Sequence, residues 1–510
     1  MINELAQWET GNSGLAKIGE EVEKINEDFG SLACSLLEAT DTGVPDRFLA
    51  QGLFSRIKAV RGQLADLSVS GEGQQADFDR LAKNDFEHSL KVQEQYIHAF
   101  FPGLCGQRVY IKEFLKSAYH KDGLEFFKKL AGEFDWRGIS ERRMLMKDIG
   151  VRGVELNPLD FEAMLLEKIP FFRKILGDYE VSMGFSTRDQ VNASDEIARN
   201  KERGLIKNRI RSLFGFFDET IPTGLLAKTL GQERAGRKEL KPVDRVIQEL
   251  VYSLVLSGDE FCYFTWTTNS MEVTSDRMHF FWNKDMTKID SYLLDAVRSL
   301  GHENFHKWQG ILSKGMPLGL KGLGDGYSLT SRVITEGVPF TLEDPFVGWL
   351  DVNKETYGFS DTEIRLARLY NAEWASNRLT RFLRAVYNRL TAPLEKKTAN
   401  SSDWICTQLA KATGNPAYLD DVLRTSESLV EVGDFAFYFA GQQYVTDTLK
   451  QLENIETARF RDRDKAKEYL AKNQGVVIQG LLTGMWGWKT HQDFFLKHYW
   501  PKAREHCVEA

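Results

Sequence analysis

The sequence predicts a predominantly α-helical, multi-domain protein with a small antiparallel β element embedded around residues 259–283. Three observations carry this. Apolar residues recur at steps of three and four over most of the chain, which is the period of a helix with one buried stripe. Only "EFCYFTWTT" and "RMHFFWN" depart from that period, being short, aromatic and Thr-rich runs on either side of the polar "NSMEVTSD", as paired strands are. A chain of 510 residues is also too long for a single hydrophobic core.

In chain order, Leu15, Ile18, Val22, Ile25, Phe29, Leu32 and Leu36 alternate steps of three and four for three heptads, with acidic residues between them. That is a coiled-coil-like seam. After the breaker "TDTGVP", Leu49, Leu53, Ile57, Val60, Leu64 and Leu67 form a second amphipathic helix. Residues 1–70 therefore read as a helical hairpin, whose 15–36 seam either packs within the chain or recruits a protein partner. The polar connector Leu67–Asp77 leads into a helical domain over 77–185. A central α+β domain is expected over 197–390, opening with a basic segment and including a helix over Ile289–Leu312. The linker "PLEKKTANSSD" then precedes a mostly helical C-terminal domain, 400–510.

The totals restrict function. Hydrophobic residues at 42% and charged residues at 27% are globular values and exclude wholesale disorder. A net charge of −7 excludes a uniformly basic nucleic-acid binder but permits a basic patch. The five cysteines are odd in number, widely spaced and without a C-x-x-C pair, which points to reduced thiols in the cytoplasm and away from a disulfide framework. The N-terminal residues lack the basic-then-apolar order of a signal peptide, and the apolar run Gly475–Trp488 is too short for a bilayer, so no membrane association is expected.

Two features carry chemistry. From Arg199 to Arg245 there are twelve Lys or Arg against six Asp or Glu. Within it Arg203, Lys207 and Arg211 lie along one helical side, and Arg378, Arg381 and Arg384 follow at steps of three in a later helix. Such rows can track a phosphate backbone, making nucleic acid a candidate partner. With the heptad seam they give the leading expectation, a macromolecule-binding component or adaptor of a cytoplasmic assembly.

The alternative lies in "LGHENFHKW", Leu300–Trp308. His-Glu-x-x-His is the pattern with which zincin metalloproteases hold zinc. On a helix His302 and His306 share a face and can bind one ion, and Glu303 can act as the base toward water. The helical wheel places both histidines opposite the stripe of Leu293, Val297, Leu300, Trp308, Ile311 and Leu312, facing a cleft or solvent. The flanks depart from the longer zincin motifs. Lys307 follows the second His, and Gln309 and Leu312 stand where one branch has Gly and a third His. Glu336, Glu343 and Glu373 are the downstream carboxylates available to another branch, so the third ligand is unassigned. On this alternative the cofactor is zinc and the activity is that of a peptidase-like hydrolase.

Overall fold

A computed structural model of the chain describes residues 12–42, 47–101, 107–119, 121–133, 174–185, 329–369 and 436–508 except 485. It also describes residues 141, 144, 145, 171, 298, 301, 302, 304–306, 308, 309, 312, 379, 407, 410 and 411. Of these residues 87% are helical and none is in a strand, so the helical class is correct. The β element expected at 259–283 lies outside the described residues.

The chain divides into two compact units. Unit 1 comprises 1–139, 311–341 and 371–510, and unit 2 comprises 140–310 and 342–370. The hairpin, the helices after residue 77 and the C-terminal helices share one unit.

In unit 1, α1 (Ser13–Thr42) and α2 (Arg47–Asp66) form the expected hairpin, and α3 (Gln74–Phe100) packs on both. Asn12 caps α1, its Oδ1 accepting from the N–H groups of Gly14 at 3.0 Å and Leu15 at 3.1 Å. The seam residues Leu15, Ile18, Val22, Ile25, Phe29 and Leu32 are all buried, as are Leu53, Ile57, Val60 and Leu64 of α2. Each such side chain contributes about 1.5–3 kcal/mol on leaving water. The ion pairs clipping the helices, Arg56 to Glu21 and Asp28, and Arg61 to Glu94, are partly exposed. An exposed pair is worth about 0–1 kcal/mol, so the seam, not the charges, holds the hairpin. One buried polar pair sets register between α1 and α3, Gln93 Nε2 donating to Asn26 Oδ1 at 2.6 Å.

After Phe101 come α4 (Gln107–Ala118) and α5 (Leu124–Glu133), and then α6 (Leu329–Thr335). The helices α7 (Gly337–Val352) and α8 (Lys354–Tyr357) follow in sequence. The long α9 (Ala436–Phe460) opens with Phe437, Tyr438 and Phe439, all buried. It crosses the start of α7 where Gly337 meets Gly441. A Cβ on Gly337 would lie 2.4 Å from the Gly441 Cα, so only glycine allows the crossing. Asp462 caps α10 (Arg463–Lys472) by accepting from the N–H groups of Asp464 and Lys465. Then follow α11 (Gln474–Leu482), α12 (Trp488–Phe494), a π-helical turn over Phe495–Tyr499 and α13 (Trp500–Ala503).

The C-terminal helices join unit 1 through specific bonds. The Gly487 N–H donates to Asp85 Oδ1 at 2.8 Å, and Trp488 Nε1 donates to the Ala118 carbonyl at 3.0 Å. Trp500, wholly buried, donates from Nε1 to Glu456 Oε1 at 2.8 Å. No described helix is long and apolar enough to cross a membrane.

The core of unit 2 is aromatic. Tyr179 meets Phe305, Phe346 and Trp349 at ring-centroid distances of 6.1, 4.8 and 5.3 Å. Tyr357 stands beside Trp349 and donates from its hydroxyl to Asp178 at 2.7 Å. A capping box starts the helix after it: Ser360 Oγ accepts from the Glu363 N–H, and the Glu363 carboxylate accepts from the Ser360 N–H. This aromatic layer packs against Phe305, on the helix that carries the histidines.

Candidate metal centre

The site belongs to unit 2. Arg298, His302, His306 and Gln309 are helical residues at steps of four, four and three, so they fall on one face. Gly301 lets this helix approach α7 closely. A Cβ there would lie 2.5 Å from Cε1 of Phe346, a ring with no exposure. The close approach brings Glu343, three residues before Phe346, against the histidine face.

The Glu343 carboxylate serves two successive turns of the facing helix. Oε2 accepts from Arg298 Nη1, and Oε1 lies 2.7 Å from His302 Nδ1. All three side chains are buried, with Arg298 5% and His302 2% exposed. A His302 ring that donates from Nδ1 to this carboxylate keeps its lone pair on Nε2. His306 is set similarly, its Nδ1 lying 3.0 Å from Gln309 Oε1, an acceptor. The Nε2 atoms of His302 and His306 then face each other at 3.1 Å, with ring planes 76° apart.

Ring nitrogens that close share either a hydrogen, in an N–H···N bond, or a metal ion. A tetrahedral zinc ion with Zn–N bonds of about 2.0–2.1 Å places its nitrogen ligands about 3.3 Å apart. The separation found is near that edge, and two neutral imidazoles, each with its far nitrogen hydrogen-bonded, are a donor set that zinc uses commonly. The residues therefore fit the metal that the motif implies.

The other side of the same helix is anchored as firmly. Glu180, also buried, accepts from Asn304 Nδ2 at 2.7 Å and Trp308 Nε1 at 2.8 Å. Phe305 packs on Tyr179, and Trp308 on Phe185 with centroids 4.3 Å apart. One buried carboxylate thus grips each polar face of the helix.

His302 and His306 are brought together as the spacing predicts. The open histidine face is a correction: His302 is buried, because Glu343 and Arg298 cover it, and His306 is half-buried. Of the downstream carboxylates, Glu343 converges on His302, but on the nitrogen remote from His306. Glu336 lies just before α7 and accepts from the Tyr438 hydroxyl at 3.3 Å within unit 1. Glu303 and Glu373 are outside the described residues, as are Arg203, Lys207, Arg211, Arg378, Arg381 and Arg384. Sequence reasoning missed Arg298, Gln309 as a partner of His306, Asn304 and Glu180. The step of four between Arg298 and His302 and the step of three between His306 and Gln309 were available signals. No protein-family model, curated protein or solved structure matches the chain.

Proposed function

We propose that this protein binds zinc through His302 and His306 and uses it to hydrolyse amide bonds in peptides, with Glu303 as general base. The observation that supports this is the pair of Nε2 atoms 3.1 Å apart, each on a ring whose Nδ1 faces an acceptor. When bound, the metal supplies Lewis-acid polarisation of a carbonyl and acidifies water near neutral pH. The chain's own contribution is orientation. The two imidazoles are held by a clamped helix, and Glu303 would take the proton from the attacking water and return it to the leaving amine.

The adaptor reading draws less support from geometry. Its heptad seam is buried against α2 and α3, so those six side chains form core rather than a docking face. Its basic residues lie outside the described part of the chain, and salt-dependent binding to DNA or RNA remains its test.

The experiment is metal analysis of the purified full-length chain, together with hydrolysis of a mixed peptide library. Stoichiometric zinc, lost in His302→Ala, and turnover abolished in a Glu303→Gln variant that keeps its zinc are the expected results. A chain without zinc at neutral pH, or one whose Glu303→Gln variant hydrolyses normally, overturns the reading.

A further inference from the structure

We infer that Glu343 and Gln309 are positioning residues that fix both imidazoles as Nδ1–H tautomers, aiming both Nε2 lone pairs at one metal ion, while Arg298 keeps Glu343 out of the coordination shell. The inference rests on the zinc reading above and deepens it.

Neutral imidazole in water exchanges between two tautomers, and only the one with its hydrogen on Nδ1 can ligate through Nε2. At His302 the choice is made by a carboxylate oxygen 2.7 Å from Nδ1. At His306 it is made by an amide oxygen 3.0 Å away, three residues along the same helix. The two devices differ chemically. The first is charged and comes from another helix, and the second is neutral and local. Both enforce the same tautomer, and both side chains are buried, Glu343 to 4% and Gln309 to 1% exposure. The two Nε2 atoms stand 3.1 Å apart, a separation that suits two nitrogens sharing one metal ion.

Glu343 itself is a poor candidate for a third ligand. The His302 ring stands between its carboxylate and His306, and its second oxygen is taken by Arg298, with both members of that ion pair under 8% exposed. Turning the carboxylate toward a metal would strand a buried guanidinium. Arg298 therefore holds the carboxylate as an acceptor for His302 rather than a ligand.

The test needs no knowledge of substrate. The full-length chain, stripped with a chelator, is titrated with Co²⁺ while the visible d–d absorption is followed, and with Zn²⁺ by competition. Glu343→Gln and Gln309→Leu keep side-chain volume while weakening or removing an acceptor, and each is expected to lower metal affinity about 10- to 100-fold. Asn304→Ala, which removes a bond to Glu180 on the opposite face, is expected to lower the melting temperature and leave affinity within about twofold. Should a variant fail to fold, ¹⁵N-histidine NMR of the zinc-loaded wild-type chain reads the tautomers directly, and both rings are expected to carry hydrogen on Nδ1. Hydrogen on Nε2 of either ring, or unchanged affinity in both variants of a wild type that binds metal, overturns this inference alone. A wild type that binds no Co²⁺ or Zn²⁺ overturns the zinc reading beneath it.

Discussion

Replacing Gly301 with Ala tests whether the close approach of the histidine helix to α7 builds the site. The new Cβ would lie 2.5 and 2.6 Å from Cε1 and Cδ1 of Phe346, where ordinary contact begins at 3.4 Å. Helix and ring must then part by about 0.9 Å. The ring has little freedom to yield, being fully buried, stacked on Trp349 at 6.3 Å and edge-on to Tyr179 at 4.8 Å. If the helix moves instead, the 2.7 Å contact between His302 and Glu343 opens to about 3.6 Å, beyond a hydrogen bond. Overpacking of this kind costs about 1–3 kcal/mol, and a unit of this size loses about 2–4 °C in melting temperature per kcal/mol. The assay pairs thermal unfolding with Co²⁺ titration. The expected outcome is a lower melting temperature together with weakened metal binding. Gly301→Ala with wild-type stability and affinity would refute the reasoning, because the close approach would then not be needed.

Three further outcomes are expected. Gly441→Ala places a Cβ 2.2 Å from the Gly337 Cα, backbone that cannot turn aside, and should destabilise unit 1 by at least about 1–3 kcal/mol in urea unfolding. Ile25→Ala, at a fully buried seam position, should cost about 2–5 kcal/mol, whereas Phe48→Ala, at a position 89% exposed, should stay within about 0.5 kcal/mol. Burial pushes the Asp85 carboxyl up to about 6, against the lowering effect of its bonds to Gly487 and Thr490. The folded state therefore holds this proton more tightly than the unfolded chain, and Asp85 contributes stability that is present below about pH 4 and declines as pH rises to about 6. His88 and His491, which burial holds down to about 4, work in the opposite sense. They favour the fold above about pH 6.5 and oppose it progressively as pH falls toward 4. Asp85→Asn removes one side of this balance, so between pH 6 and 4 it should lose more stability on acidification than the wild type, as read from urea midpoints across pH.

What the sequence made legible was whatever repeats locally. The α1 seam could be read because Leu15 to Leu32 keep one period and are buried as that period implies. The pairing of His302 with His306 could be read for the same reason, four residues being one helical turn. The partners of those residues could not. Glu343 is 41 residues from His302, and Glu180 is 124 from Asn304, so no local pattern links them. The histidine face looked open because polar residues at buried, hydrogen-bonded positions carry the same letters as polar residues in water. The bonds that tie the C-terminal helices into unit 1 were not legible for a related reason. The C-terminal helices are held by Asp85 and the Ala118 carbonyl, 402 and 370 residues before their partners Gly487 and Trp488.

The most direct test of the central claim is the zinc content of the full-length chain purified at neutral pH, measured beside His302→Ala. The account predicts one zinc per wild-type chain and loss of it in the variant, with both proteins folded by circular dichroism. A folded wild-type chain that carries no zinc and takes up none on titration would contradict it, and the facing imidazoles would then be two residues sharing a proton in a polar core.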